Sequence, residues 1–235
     1  MTNATSTQLQ ELYVAYFGRA ADPTGLDYWT EKGISTAKFA ADMYAQAEFK
    51  DAYGSLSTES QVNQIYKNLF DREADVAGLT YWTQQINLGN LKLAEIANDL
   101  IWAAQNNSGS ADDKAALENR TAAAVAYTAE VKSSTAGILA YQAESTDPWI
   151  TGVNLNEGKT YLSGIDKDTA YTAAGITASV AVITANGVPS TAVAGKTFAL
   201  TKNLDSGSSF TGDTGNDTFS GSAGTIDGDI LDGGA

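Results

Sequence analysis

No cysteine and no histidine occur among the 235 residues. Their absence excludes disulfides, thiolate nucleophiles, imidazole bases and the usual ligand set of a zinc site. It also leaves the chain without a redox liability in any compartment. Basic residues are scarce, with 14 Lys and Arg against 28 Asp and Glu, for a net charge of −14. A surface of that sign repels nucleic-acid phosphates and excludes nucleic acid as a partner. Long apolar runs are missing as well: no stretch approaches the roughly 18 apolar residues that a membrane-crossing helix needs. The opening MTNATSTQLQ has neither the basic n-region nor the apolar h-region of a secretory signal, so export would need another route. What the chain has in excess is carboxylate, and carboxylate oxygens suit a hard divalent cation such as calcium.

The helical part carries an internal duplication. LYVAYFGRAADPTGLDYWT (12–30) recurs as IYKNLFDREADVAGLTYWT (65–83), an offset of 53 with 10 of 19 positions identical. Leu9, Leu12, Tyr13, Tyr16 and Phe17 map onto Val62, Ile65, Tyr66, Leu69 and Phe70. That spacing is the apolar stripe of an amphipathic helix. The first helix of each copy stops near Arg19 or Arg72. Asp22 and Asp75 then read as N-caps of a second helix, with Pro23 at its first position. A third helix follows: Phe39, Ala40, Asp42, Met43 and Ala47 match Ile96, Ala97, Asp99, Leu100 and Ala104 at an offset of 57. The change of offset places a four-residue insertion within INLGNL (86–91). Tyr28, Trp29, Tyr81 and Trp82 read first as core packing. Arg19 and Arg72 read first as partners of local carbonyls or of Asp22 and Asp75, and Gly25 and Gly78 as places of close helix approach.

Beyond NNSGSADD (106–113) an alanine-rich helix is expected, capped by Asp112 or Asp113, followed by a looser Ser/Thr-rich region to Pro148. A further helix is expected over about 168–185, capped by Asp166 or Asp168, although its Thr, Ile and Val content also permits strands. Asn186-Gly187 marks a turn, and TFALT (197–201) alternates as a strand does. The fold class is therefore mainly α. A multi-helix domain built on a duplicated three-helix unit spans 1–187, with repeats at about 8–52 and 61–107 and further helices over about 112–185. A short β segment follows over 188–235.

Residues 203–235 hold eight glycines, six aspartates and no basic residue. A solvated acidic linker has this composition too. The spacing adds something: residues 212–220, GDTGNDTFS, fit the nonapeptide G-G-x-G-x-D-x-U-x, with Asp213 replacing the second glycine and Phe219 at the apolar position U. DGDILDGGA (227–235) gives Asp229 and Leu231 in the corresponding places. The interval of 12 from Asp217 to Asp229 is not a multiple of nine, so the register is interrupted. Glycines admit positive φ and present carbonyls, the aspartate adds a charged oxygen, and stacked strands bury U. Candidate calcium ligands are Asp213, Gly215, Asn216, Asp217, Asp227, Asp229 and Asp232. The segment resembles the first turns of an RTX calcium-binding parallel β-roll, a feature of proteins exported by Gram-negative type I systems. That likeness implies calcium as cofactor, and a chain that continues past residue 235.

The repeated pattern Tyr-x-x-x-Phe-x-Arg-x-x-Asp-x-x-Gly-Leu-x-Tyr-Trp resembles a bacterial helical domain family of uncharacterised function, found at the N-terminus of S-layer and other RTX-type secreted proteins. The resemblance covers roughly residues 8–185. It implies an extracellular S-layer protein whose helical domain anchors it to lipopolysaccharide through the O-polysaccharide, and whose β-rich part self-associates into a calcium-stabilised two-dimensional lattice. A sugar site needs an aromatic face with amide or carboxylate partners. Trp102 with Asn106 and Asn107 is one candidate, and Tyr141 with Trp149 is another. A secreted RTX adhesin, or a module that binds a protein partner, is the alternative. Enzymatic activity is not expected: no nucleophile motif occurs, and nothing in the spacing pairs two carboxylates for glycoside hydrolysis.

Overall fold

Nine of the twelve residues of the first helix, α1 (Ser6–Phe17), are buried. A helix enclosed on so many sides must be covered by several others, and the chain supplies them. The computed structural model describes residues 2–189, 197–201, 205 and 218–221. Among these, eleven α-helices make up most of the chain. α1 starts at a capping box: the Thr5 hydroxyl accepts from Gln8 N, and Gln8 Oε1 accepts from Thr5 N. It ends at Gly18, whose φ of 62° is the left-handed conformation that suits glycine. α2 (Pro23–Glu31) is capped by the Asp22 carboxylate, and α6 (Val76–Asn87) by that of Asp75, each accepting from the third residue on, Gly25 or Gly78. Between them lie α3 (Thr36–Ala45), α4 (Ala47–Tyr53) and α5 (Thr58–Phe70). After a 3-10 turn at Leu93–Glu95, α7 (Ile96–Asn106) completes the second copy.

The two copies differ at their third helix. Gln46 takes an extended backbone, with ψ of 152°, and so splits the expected helix into α3 and α4. Ala47 therefore opens α4, whereas its counterpart Ala104 stays inside the continuous α7. α6 runs for 12 residues against 9 for α2, which puts the extra length near 86–91.

Helices α1 to α7 share a core of Leu9, Leu12, Tyr16, Phe39, Ile65 and Leu69 with their neighbours. A second core brings Tyr127, Tyr141, Leu155, Leu162, Val180 and Ile183 together from α8 (Ala111–Lys132), the segment after α9 (Thr135–Ala140), α10 (Gly152–Ser163) and α11 (Ala173–Asn186). Val14 joins this second core from the opposite side of α1. The alanines of α8 keep its backbone close to α1, α5 and α11. Gln10 ties the layers by accepting from Ala21 N and donating to Thr128 Oγ1 and Ala124 O.

Several expected caps are corrected. Ser110, with no side-chain hydrogen bond, stands at the start of α8. Asp112 and Asp113 fall in its first turn, where carboxylates oppose the helix dipole favourably. The helix predicted over 168–185 is α11 rather than strands, and it is capped by Thr172. Asp166 instead closes a turn by accepting from Asp168 N and Thr169 N. Residues 145–163 hold a hairpin, β1 (Ser145–Thr146) with β2 (Trp149–Ile150), and then α10.

The chain divides into two units, Met1–Pro189 and Ser190–Ala235. In the second, β3 (Thr197–Ala199) pairs in parallel with β4 (Thr218–Ser220). Phe198 lies opposite Phe219, their rings stacked at 4.7 Å and 12°. The Asp205 carboxylate accepts from the backbone and hydroxyl of Thr201. Asp213, Gly215, Asn216, Asp217, Asp227, Asp229 and Asp232 lie outside the described residues.

Candidate functional site

Each repeat places one arginine just past its first helix, and the two side chains are held alike. Arg19 Nε and Nη2 donate to the Glu48 carboxylate at 2.8 and 2.7 Å, and Nη1 donates to Ala20 O at 2.9 Å. Arg72 Nε and Nη2 donate to the Asp113 carboxylate, each at 2.7 Å, and Nη1 donates to Glu73 O at 2.9 Å. Both forks are bidentate, the strongest form of such a pair. The guanidinium carbons lie 5.5 Å from the Tyr13 ring and 5.2 Å from that of Tyr66, within cation–π range. The capping aspartates stand slightly farther off, at 4.0 Å for Asp22 and 3.9 Å for Asp75. The loop behind each arginine is fixed in the same way: Gln10 Oε1 accepts from Ala21 N, and Asn63 Oδ1 accepts from Ala74 N.

A cavity of about 260 Å³ adjoins each arginine. The first is lined by Tyr13, Phe17, Arg19, Asp22, Trp29 and Glu48. The second, also of about 260 Å³, is lined by Tyr66, Phe70, Arg72, Asp75, Trp82 and Asp113. The first five residues of each set correspond at the repeat offset; the carboxylate partner comes from different places, α4 in one copy and α8 in the other. Trp82 Nε1 donates to Tyr66 Oη at 3.0 Å. Burial raises the tyrosine hydroxyls at both places, which keeps them neutral hydrogen-bonding groups. A glycine is needed beside each hydroxyl: a Cβ at Gly25 would stand 2.9 Å from Tyr13 Oη, and one at Gly78 2.8 Å from Tyr66 Oη. The expected close approach is therefore between a tyrosine hydroxyl and a helix, not between two helix backbones. Aromatic faces beside fixed polar groups are the chemistry of a sugar site.

The sequence candidates fall unevenly on this frame. Trp149 lines the first cavity, where its Nε1 donates to Thr151 Oγ1 at 3.1 Å. It also borders an adjoining space of about 380 Å³ that shares Arg19, Asp22 and Thr146. Asn107 lines the second cavity, with Gly109 and Ser110. Trp102 is 62% exposed, and Asn106 Nδ2 is spent on Trp102 O at 2.8 Å; neither lines a twin cavity. Tyr141 is wholly buried, packs on Tyr127 at 5.5 Å and donates to Ala20 O, and it borders the 380 Å³ space together with Trp149. Tyr28 and Tyr81, read as core, are 49% and 54% exposed, while Trp29 and Trp82 pack partly buried against the first core.

Glu48, and Asp113 as an arginine partner rather than a cap, are not legible in the sequence because neither sits at an equivalent position; the duplication of the arginines is the signal that each needs a partner. Among the described residues no group of three or more Asp or Glu is arranged to hold a metal. No curated protein and no solved structure matches the chain. Residues 40–109, from α3 to the end of the second repeat, match the family model described as "Domain of unknown function (DUF4214)", and the chain carries that domain there.

Proposed function

We propose that the helical unit binds a cell-surface polysaccharide, the O-polysaccharide of lipopolysaccharide, and anchors an extracellular S-layer protein. One observation carries the reading: a cavity with the same aromatic, arginine and carboxylate lining occurs twice, and a repeating glycan presents the same sugar more than once. Two weak sites engaging one polymer gain from effective concentration. The carboxylates of both cavities are committed, Glu48 and Asp113 to arginine forks and Asp22 and Asp75 to helix caps, which favours binding over catalysis. Calcium belongs to the proposal through the 212–235 spacing, together with the parallel pairing of Phe219, at position U, with Phe198. Calcium-dependent folding of that segment would then support self-association into a lattice.

Retention of the 235-residue chain on smooth and on rough lipopolysaccharide tests the anchor. Selective retention on smooth material is expected. Trp149→Ala and Trp82→Ala each weaken it roughly fivefold, the loss of about 1 kcal/mol of aromatic contact. Equal or absent retention on both materials removes the reading. A second reading, an adhesin or protein-binding module, is favoured by one observation: Tyr28 and Tyr81 are half exposed at equivalent positions, with Val76 83% exposed nearby in sequence. Tyr28→Ser/Tyr81→Ser distinguishes the two, because it leaves glycan retention intact.

A further inference from the structure

A further cavity, of about 380 Å³, is lined by Tyr53, Lys67, Asp71, Arg120, Lys159 and Ser163, among others. Three of its residues are cations in a chain that has 14 in all and a net charge of −14. Asp71 is the single acid among them.

Two of the three cations are not fully matched. Lys67 is accounted for by Glu73 at 2.9 Å, and by its place in the last turn of α5, where a cation suits the helix dipole. Arg120 is 3% exposed. Its Nη1 reaches Asp71 Oδ1 at 3.0 Å and Ile165 O at 2.8 Å, yet its Nε has no hydrogen-bond partner among the described residues. Lys159 on α10 is half-buried, and among the described residues no hydrogen bond or ion pair holds it. Burial lowers its ammonium, Glu48 and Asp51 oppose that from a distance, and Arg19 adds to it. A cation withdrawn from water without a counter-charge is costly, and so is an unsatisfied guanidinium nitrogen. Both cations border one cavity, and an oxyanion placed there would supply the counter-charge that Lys159 lacks.

We infer that this cavity between α1, α5, α8 and α10 binds a small oxyanion, a phosphate or a sugar-borne carboxylate, through Lys159, Arg120 and Lys67. The site shares Phe17 with the first twin cavity but does not depend on the polysaccharide reading.

The probes are inorganic phosphate, glucuronate and glucose, titrated calorimetrically into the 235-residue chain at low salt without calcium. Saturable one-to-one uptake of phosphate or glucuronate is expected, weakening as salt rises, with no uptake of glucose at this site. Which of the two anions binds more tightly identifies the charged group. Lys159→Gln weakens uptake at least tenfold, and Lys67→Gln weakens it less. Lys159→Met abolishes uptake while raising the Tm of the ligand-free chain, a combination that a purely structural lysine would not give. Absence of saturable uptake of either anion overturns the inference. So does uptake by Lys159→Gln and Lys67→Gln equal to that of the parent chain, or glucose binding equal to glucuronate.

Discussion

Burial of Glu11 on α1 raises its carboxyl from the usual 4.5 to about 7. Among the described residues, the one group replacing its lost water is the Gln105 amide, which donates to Oε1 at 3.3 Å. The folded state thus holds the proton more tightly than the unfolded chain does. The stability this contributes is complete below about pH 4.5 and is lost as the pH rises through 7. Above that, the ionised carboxylate costs on the order of 3 kcal/mol, from a shift of about 2.5 pH units. Glu11→Gln removes the titration. The variant is expected to match the parent chain near pH 4 and to exceed its unfolding free energy by about 2–3 kcal/mol at pH 8. Urea denaturation at both values measures the difference; equal stability at pH 8 refutes it. This residue was invisible in the sequence, since a glutamate between the stripe positions Leu9 and Leu12 ordinarily faces water.

At the scale of the element, the duplication was legible and the inequality of its copies was not. The apolar stripes of α1 and α5, and the caps Asp22 and Asp75, follow from spacing alone. The partner of each arginine depends on what packs beside the repeat. Glu48 comes from α4, which exists because Gln46 leaves the helix, and Asp113 comes from α8, outside the duplicated segment. α10 was unreadable because its two glycines and two asparagines obscure the period. These origins make the two forks energetically unlike. The Arg19 and Glu48 side chains are 4% and 7% exposed, whereas the Arg72 side chain is 38% exposed. Arg19→Leu leaves Glu48 as an unpaired buried charge and is expected to cost about 3–5 kcal/mol. Arg72→Leu breaks a pair whose arginine reaches water, and is expected to cost about 1 kcal/mol or less. Denaturant midpoints of the two variants check this, and equal losses would show that the copies are energetically alike.

At the scale of the whole molecule, charge is distributed by segment. The last basic residue is Lys202, and six aspartates follow it. Such a density of carboxylates repels itself unless a cation intervenes, and calcium is the cation proposed for it. In the second unit the described strands pair in parallel, Phe198 on Phe219. Calcium would then act on one unit and not the other, because the helical unit presents no acidic cluster among its described residues. Millimolar calcium is expected to protect residues 203–235 from proteolysis, by the linkage that any ligand of the folded form provides. The urea midpoint of the helical unit should not move with it. Magnesium should fail to substitute, since it dehydrates reluctantly and demands octahedral geometry. Asp217→Ala should abolish the protection, because it removes the charged oxygen at the centre of the best-formed repeat. Cleavage maps in calcium, magnesium and chelator decide it. Identical cutting of the tail in all three would leave its aspartates as solvated charge, and the helical unit as the sole carrier of function.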